Sequence, residues 1–199
     1  MKYSVNGHNI FLIVAVCFIS SLVFVYFMRK AAIYLNIVDK PNEKRKMQKE
    51  PVPLLGGLGI FLSFLLGYML FAPKNDLMLS ILISSFLIML LGLFDDLTKN
   101  DRPMPNKFKF AIQLVVSLII VLYGGLEVSR ITMFGHVINF GIFSKPLSML
   151  IIVGTINAIN LIDGLDGLCA GISSIYFLTI GVIALILNQL GGLDIILSF

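Results

Sequence analysis

The sequence predicts an all-α integral membrane protein with about six transmembrane helices. Hydrophobic residues make up 58% of the 199 residues, and the mean hydropathy is +0.97, well above what is typical of a soluble domain. Six stretches without a charged residue are each long enough to cross a bilayer as a helix. The charges between these stretches orient the N-terminus to the outside. We therefore expect one membrane domain over residues 1–199, located in the cytoplasmic membrane of the cell.

The predicted spans follow one another with short polar connections. The first is not a cleavable signal peptide, because Arg29 and Lys30 follow the apolar stretch instead of preceding it. The second opens with Gly56 and Gly57, which favour close helix packing in a membrane. Residues 127–145, before the fifth span, alternate weakly and predict a short external hairpin. The six spans are Ile10–Met28, Leu54–Ala72, Leu77–Phe94, Phe110–Leu126, Pro146–Ile162 and Leu168–Leu187.

The basic residues assign the loops to sides of the membrane. The loops at 29–53 and 95–109 lie on the same side by parity and contain seven and four of the 15 basic residues. The positive-inside rule therefore places both loops in the cytoplasm, together with the fifth loop around residues 163–167. The net charge of +4 is modest and gives no indication of nucleic-acid binding.

Two adjacent carboxylates, Asp95 and Asp96, end the third span in the stretch LLGLFDDLTKN. The negative end of the helix dipole and the positive-inside bias both disfavour acids at this position. Paired carboxylates suit a hard divalent cation that keeps substrate phosphates as further ligands, so the pattern indicates phosphoryl transfer. Basic residues of the same loops offer countercharge for phosphate, although each is also explained as a determinant of topology. These residues are Arg45, Lys46, Lys99, Lys107 and Lys109.

A second polar cluster, NAINLIDGLDGL, occupies residues 157–168 at the end of the fifth span. Asn157 and Asn160 are neighbours on one helix face, and Asp163 follows three residues later. Polar side chains at the end of a membrane helix are costly unless they are paired, hydrated or ligated. Two of them have structural alternatives, because Asp166 could cap the sixth helix and Asn157 could hydrogen-bond to a neighbouring helix.

The sequence resembles the polyprenyl-phosphate N-acetylhexosamine-1-phosphate transferases in three stretches: DKPNEKRK…PVPLLGG, GLFDDLTK…KFKFAIQ and NAINLIDGLDGL. The first stretch looks closer to the GlcNAc-type members than to the phospho-MurNAc-pentapeptide translocase. The resemblance implies transfer of N-acetylhexosamine-1-phosphate, GlcNAc-1-phosphate in particular, from a UDP-sugar to undecaprenyl or another polyprenyl phosphate. Such a reaction initiates cell-envelope polysaccharide synthesis. The implied partners are UDP-N-acetylhexosamine, polyprenyl phosphate and the lipid bilayer, with Mg²⁺ or Mn²⁺ as the cofactor and a homodimer as one open assembly.

The resemblance also assigns roles by position. Asp95 corresponds to the family aspartate proposed to deprotonate or engage the lipid phosphate, and Asp96 is its active-site neighbour. Asn160 corresponds to an asparagine at the magnesium site. The remaining expected substrate contacts are Asp163, Asp166, Lys49, Lys99 and Lys109 from the resemblance, together with Asn157, Arg45 and Lys46 from the residue pattern.

The sequence departs from the family pattern in two ways. Gln48 stands where a histidine is usual, and family members have roughly ten spans where six are expected here. Two later cytoplasmic loops of the family have no counterpart before Phe199, so we expect the N-terminal portion of a larger transferase fold. Two alternatives stay open: an inactive fragment that folds without turnover, and an ion-coupled transporter, whose carboxylates would usually lie near the membrane midplane.

Overall fold

The computed structural model of the protein describes residues 4–5, 8–39, 51–98, 104–133, 136–163 and 167–189, and these residues form six α-helices and three short antiparallel strand pairs. The chain divides into two compact units, an N-terminal unit (Ser4–Gly124) and a C-terminal unit that begins at Gly125. The helices are α1 (Ile10–Tyr34), α2 (Gly56–Phe71), α3 (Asp76–Thr98), α4 (Asn106–Leu118), α5 (Ser144–Ile162) and α6 (Leu168–Gln189). The strands are β1 (Ser4–Val5), β2 (His8–Asn9), β3 (Val38–Asp39), β4 (Val52–Pro53), β5 (Arg130–Met133) and β6 (His136–Asn139).

The prediction of an all-helical membrane protein with six apolar helices is confirmed, with one difference in length. Five segments of the described chain are long and apolar enough to cross a membrane, whereas α2 has 16 residues. At 1.5 Å per residue α2 is about 24 Å long, which is less than the roughly 30 Å hydrocarbon core. The predicted span from Leu54 was too long because Ala72, ahead of Pro73, adopts an extended backbone (ψ 142°), as the residue before a proline usually does.

Several helices run beyond the apolar stretches that predicted them. The helix α1 continues through Arg29 and Lys30, and α3 continues through Asp95 and Asp96 to Thr98. The predicted loop from 95 to 109 was therefore too long at both ends, because α4 already begins at Asn106. Hydropathy marks where a helix leaves the membrane, but its backbone hydrogen bonds continue through charged residues that tolerate a helical conformation.

In the N-terminal unit, consecutive helices pack as antiparallel neighbours, as short connections require. Two contacts mark one end of this bundle. The rings of His8 and Phe71 lie 5.2 Å apart, and the hydroxyl of Tyr123 donates to Asp76 Oδ1 at 3.4 Å. The opposite ends of the same helices carry the loops at 29–53 and 95–109, so these two basic loops leave the unit at the same end. The compartment that they face remains a prediction from the positive-inside rule.

Helices α1 and α2 pack closely along a stripe of small residues on α2. Gly59, Ser63 and Gly67 follow one another at intervals of four residues, on one face of the helix. A Cβ atom at Gly59 would lie 2.9 Å from the Cα of Val25, so the two backbones approach too closely for a side chain there. Ser63 adds a hydrogen bond to Ser20, with the two Oγ atoms 2.7 Å apart. Small residues and hydroxyl pairs of this kind hold helices together in a membrane.

The C-terminal unit contains a hairpin followed by α5 and α6. Strand β5 pairs with β6, which confirms the short hairpin predicted within residues 127–145. Its external location stays a prediction. A 3₁₀ turn at Gly141–Phe143 leads directly into α5. The backbone N–H of Val128 donates to Ser148 Oγ at 2.7 Å, which fastens the chain before the hairpin to the second turn of α5.

Candidate functional site

Asp95 projects from the side of α3 that faces α4. Ser84 and Leu91 lie on the same side at helical spacing and are buried. The Ser84 hydroxyl donates to the Val116 carbonyl of α4 at 3.5 Å. At the end of this contact, Lys109 Nζ lies 2.6 Å from Asp95 Oδ1. The structure therefore brings together two of the residues predicted for the site, one from each helix.

The Asp95–Lys109 ion pair joins two charges that their own helices disfavour. Asp95 lies in the last turn of α3, near the negative end of the helix dipole. Lys109 lies in the first turn of α4, near a positive end, and that turn contains no acidic residue. Each placement costs about 0.3–1 kcal/mol at an exposed helix end. Helix stability alone would favour the opposite charges at these two positions.

Asp96 points to a different neighbour, because consecutive residues of a helix are directed about 100° apart. It lines a cavity of about 240 Å³ between α2 and α3. The first turn of α2, at the positive end of its helix dipole, forms one wall of this cavity. The other lining residues are Leu54, Gly57, Leu58, Ile88, Met89, Gly92 and Leu93.

Two glycines keep this cavity open. No described atom lies within 4 Å of a Cβ built at Gly57 or at Gly92. The same holds for Gly56, so the prediction that Gly56 and Gly57 serve close helix packing is wrong among the described residues. That packing is provided instead by Gly59 and Gly67, one and three turns further along α2. A glycine pair in a sequence indicates that the space beside the backbone is kept free of side chains. It does not show whether a packed helix or a cavity fills that space.

The side chains of the two adjacent aspartates therefore have different surroundings. Asp95 is engaged by Lys109, and Asp96 lines the cavity beside α2. No group of three His, Cys, Asp or Glu side chains that could hold a metal is found among the described residues. Mg²⁺ commonly uses one or two carboxylates and completes its coordination with water and substrate phosphates. The oxygen donors present fit that mode of binding, which needs no preformed protein cage.

In the C-terminal unit, the polar cluster lies at the end of α5. Asn157 Nδ2 donates to the carbonyl of Val153 in its own helix at 2.8 Å, whereas the sequence alternative placed such a bond on a neighbouring helix. The side chains of Asn160 and Asp163 are exposed. Within the described part of the chain neither has a hydrogen-bond or ion-pair partner, so both are accessible to a ligand.

The residue that precedes α6 is a glycine with a left-handed backbone conformation. Gly167 has φ +80°, a conformation that side-chain-bearing residues rarely adopt. Its carbonyl accepts the N–H of Gly171 at 2.8 Å, so Gly167 occupies the capping position of α6. The alternative role of Asp166 as the cap of this helix stays a prediction. Asp166 itself, together with Arg45, Lys46, Lys49 and Lys99, lies outside the described residues.

A larger cavity of about 620 Å³ lies at the other end of the N-terminal unit. It is lined mostly by apolar residues of α1 and α2, with Ser21 and Ser63 among them, and by Met78 and Ile81 of α3. Met78 and Asp95 are 17 residues apart on one helix, which separates them by about 25 Å. This cavity therefore does not belong to the charged site, although it is the larger of the two.

Sequence reasoning missed one polar residue close to the site. Gln113 is 6% exposed and lies four residues after Lys109, on the same face of α4. A buried amide in a membrane helix is costly and is seldom placed there without a purpose. The signal was available, because Gln113 ends the KFKFAIQ stretch that carries part of the family resemblance.

These features define a multi-pass membrane protein with paired charges at one end of a helix bundle, on the side where its basic loops emerge. The sequence profile of glycosyl transferase family 4 matches residues 78–199, which include both aspartates, Lys109 and the cluster on α5. The chain belongs to this family. That membership favours a transferase over the ion-coupled transporter considered as an alternative.

Full-length relatives support the assignment. The chain is 37% identical over 191 residues to a probable undecaprenyl-phosphate N-acetylglucosaminyl 1-phosphate transferase of Bacillus subtilis, covering 93% of this chain and 51% of the relative. It is 35% identical over 153 residues to a phospho-N-acetylmuramoyl-pentapeptide-transferase of Wolbachia pipientis, covering 72% and 47% respectively. It is 30% identical over 174 residues to an undecaprenyl-phosphate alpha-N-acetylglucosaminyl 1-phosphate transferase of Escherichia coli K12, covering 83% and 44%. The chain thus spans about half the length of the relatives it matches.

Proposed function

We propose that the chain contributes the acceptor side of a transferase that moves GlcNAc-1-phosphate from UDP-GlcNAc to undecaprenyl phosphate in the cytoplasmic membrane. Family membership supports the reaction class, and the names of the two GlcNAc-type relatives support the substrates. The observation that carries the proposal is the Asp95–Lys109 pair, with 2.6 Å between Nζ and Oδ1 at the end of two membrane helices. Its charges oppose both helix dipoles, and a reaction between anionic phosphates provides a reason to keep them there.

In the proposed reaction, an oxygen of the lipid phosphate attacks the β-phosphorus of UDP-GlcNAc. A new P–O bond forms between the lipid phosphate and the sugar phosphate. The bond between the β-phosphorus and the oxygen bridging to the α-phosphorus breaks, and UMP leaves with that oxygen. The products are undecaprenyl-diphospho-GlcNAc and UMP. Catalysis of such a transfer rests on positioning and on electrostatic stabilisation.

Lys109 is placed to exchange partners during this reaction. The Lys109 side chain is 26% exposed and the Asp95 side chain 33% exposed, so an incoming phosphate can reach the pair. A phosphate oxygen would compete with Asp95 for Lys109 and form a charge-assisted hydrogen bond in its place. Asp95, released from Lys109, would then accept a proton from the lipid phosphate or orient it for attack.

The other predicted residues are assigned further roles in this reaction. Mg²⁺, when bound, would neutralise charge on the diphosphate and on departing UMP. The sequence resemblance assigns Asn160 to that ion, and we keep Asp96 as the active-site neighbour of Asp95 in the N-terminal unit. Asp163 is exposed at the end of α5 and is assigned to the nucleotide sugar. Asn157 would support the last turn of α5 through its bond to Val153. The roles of Arg45, Lys46, Lys49, Lys99 and Asp166 as phosphate and nucleotide contacts are proposals from sequence.

The test is the exchange of labelled UMP into UDP-GlcNAc in vesicles that contain undecaprenyl phosphate. Because the chain spans about half the length of its relatives, it is assayed alone and also extended by the C-terminal half of the Bacillus subtilis protein. We expect Mg²⁺-dependent exchange in the extended protein, falling by roughly a hundredfold or more in Asp95→Asn. Asp76→Asn, at the opposite end of α3, is the matched control and should retain exchange within about twofold.

Two outcomes would count against the proposal. Exchange that continues at its full rate in Asp95→Asn would show that this carboxylate has no part in the reaction. Exchange with UDP-MurNAc-pentapeptide but not with UDP-GlcNAc would keep the family reaction and reject the proposed sugar. Absence of exchange from the 199-residue chain alone, with recovery in the extended protein, would identify the inactive-fragment alternative as correct for the isolated chain.

A further inference from the structure

The hairpin of the C-terminal unit has two chemically different faces. Its register pairs Ile131 with Ile138 and Arg130 with Asn139. Directly paired residues of an antiparallel ladder project to the same face, and successive residues alternate between faces. One face therefore presents Ile131, Ile138 and His136, and the other presents Arg130 and Asn139 with Thr132 and Val137. At the end of the hairpin that adjoins α5, the first face shows the isoleucine pair and the second shows the arginine and the asparagine. Ile131 and Ile138 are 39% and 50% exposed, so the described protein leaves the isoleucine pair partly uncovered.

The position of the hairpin along the chain places it at the surface of the membrane. The candidate membrane span that contains α5 begins at Gly141, two residues after β6 ends. Ile138 is three residues before Gly141, and three residues of extended chain reach about 10 Å at most. The headgroup region on each side of the hydrocarbon core is about 5–8 Å thick. Ile138 therefore lies within or just beyond this region.

A hydrogen bond ties the chain before the hairpin to α5. The N–H of Val128, two residues before β5, donates to Ser148 Oγ at 2.7 Å. Ser148 is 3% exposed and lies seven residues beyond Gly141, which places it about 10 Å into the span. The chain just before the hairpin is therefore bonded to a residue that lies inside the apolar segment of α5.

The backbone of the hairpin sets a limit to this depth. A two-stranded ladder has two unpaired edges, and unpaired N–H and C=O groups are not tolerated in hydrocarbon. At the headgroup level, water and lipid oxygens can bond to those edges. The apolar surface continues beyond the hairpin into the 3₁₀ turn, where Ile142 is 87% exposed and Phe143 is 67% exposed.

We propose that residues 130–143 form a membrane-interfacial element whose isoleucine face, with Ile142 and Phe143, is covered by the acyl chains of the adjacent lipid leaflet. We assign phospholipid, and not another protein, as the partner that covers this face. The apolar face is continuous with the membrane span of α5, and the hydrogen bond from Val128 to Ser148 ties the chain before the hairpin to that span. In this position the hairpin would fix the level of the α5 N-terminus in the bilayer, in the way that interfacial anchors set the position of a helix.

The sequence contains no tryptophan, so a single introduced tryptophan reports on one position without interference. Ile138→Trp reports on the apolar face, and Asn139→Trp, the adjacent residue, reports on the polar face of the same strand. Each full-length variant is placed in phosphatidylcholine–phosphatidylglycerol vesicles. Quenching is measured with lipids brominated on their acyl chains and with iodide in the water.

We expect tryptophan at 138 to emit at shorter wavelength than at 139, with roughly twofold or greater quenching by brominated lipid relative to position 139. Iodide should show the opposite order. Ile131→Trp, the cross-strand partner on the same face, should behave like position 138 and keeps the test valid if the first variant misfolds.

Equal iodide quenching at 138 and 139 without quenching by brominated lipid would overturn the proposal, because the hairpin would then stand in water. Protection of position 138 from both quenchers would overturn it as well, since the apolar face would then be covered by protein.

Discussion

Replacement of Asp95 by asparagine is expected to separate stability from activity. The substitution removes an unfavourable charge from the C-terminal end of α3, a gain of about 0.3–1 kcal/mol. It also removes the 2.6 Å ion pair with Lys109, which at this degree of exposure is worth about 0.2–1 kcal/mol. The two terms nearly cancel, so the free energy of unfolding should change by less than about 1 kcal/mol. The activity should fall by roughly a hundredfold or more, because a charge in the reaction site is lost.

Asp76 on the same helix is expected to give the reverse result. It lies in the first turn of α3, where the helix dipole favours a carboxylate, and it accepts a hydrogen bond from Tyr123 at 3.4 Å. Asp76→Asn should therefore lower stability by about 0.5–1 kcal/mol. Asp76 lies at the opposite end of the helix from Asp95, so exchange should be preserved.

The two variants can be compared in one pair of assays. Thermal unfolding is followed with a thiol-reactive fluorophore, because the free thiols Cys17 and Cys169 are partly buried and become accessible on unfolding. For a chain of this size, 1 kcal/mol corresponds to about 2–4 °C in Tm. Activity is the exchange of UMP into UDP-GlcNAc by the extended protein. A Tm loss in Asp95→Asn at least as large as in Asp76→Asn, with activity falling in proportion, would refute the reasoning, since Asp95 would then be a structural residue.

Two further predictions concern helix packing and orientation in the membrane. Gly59→Ala should cost about 1–3 kcal/mol relative to Gly57→Ala, because its Cβ would meet the α1 backbone at 2.9 Å, and equal Tm values would refute this. A cysteine at Lys107 should react with an impermeant reagent from the cytoplasmic side; reaction from the outside would reverse the proposed orientation.

The sequence determined the helical structure and the family of this protein. Apolar stretches without charges can be stable in a bilayer only as helices, so the number and order of the helices followed from hydropathy. The helix ends did not follow, because backbone hydrogen bonding continues through Asp95 and Asp96 where hydropathy stops. The family membership was also predictable, since it rests on short stretches that retain their residue types and order in the chain.

The tertiary structure alone decided which side chains meet. Asp95 and Asp96 are adjacent in sequence, yet one is engaged by Lys109 of α4 and the other lines a cavity beside α2. Several lysines were equally suitable partners by spacing, and nothing in the order of residues selects Lys109. The selection depends on how α3 and α4 are rotated about their axes, which small residues such as Ser84 and Gly124 settle where the helices touch. Helix rotation arises from packing summed over a whole interface, and a local sequence pattern cannot specify it.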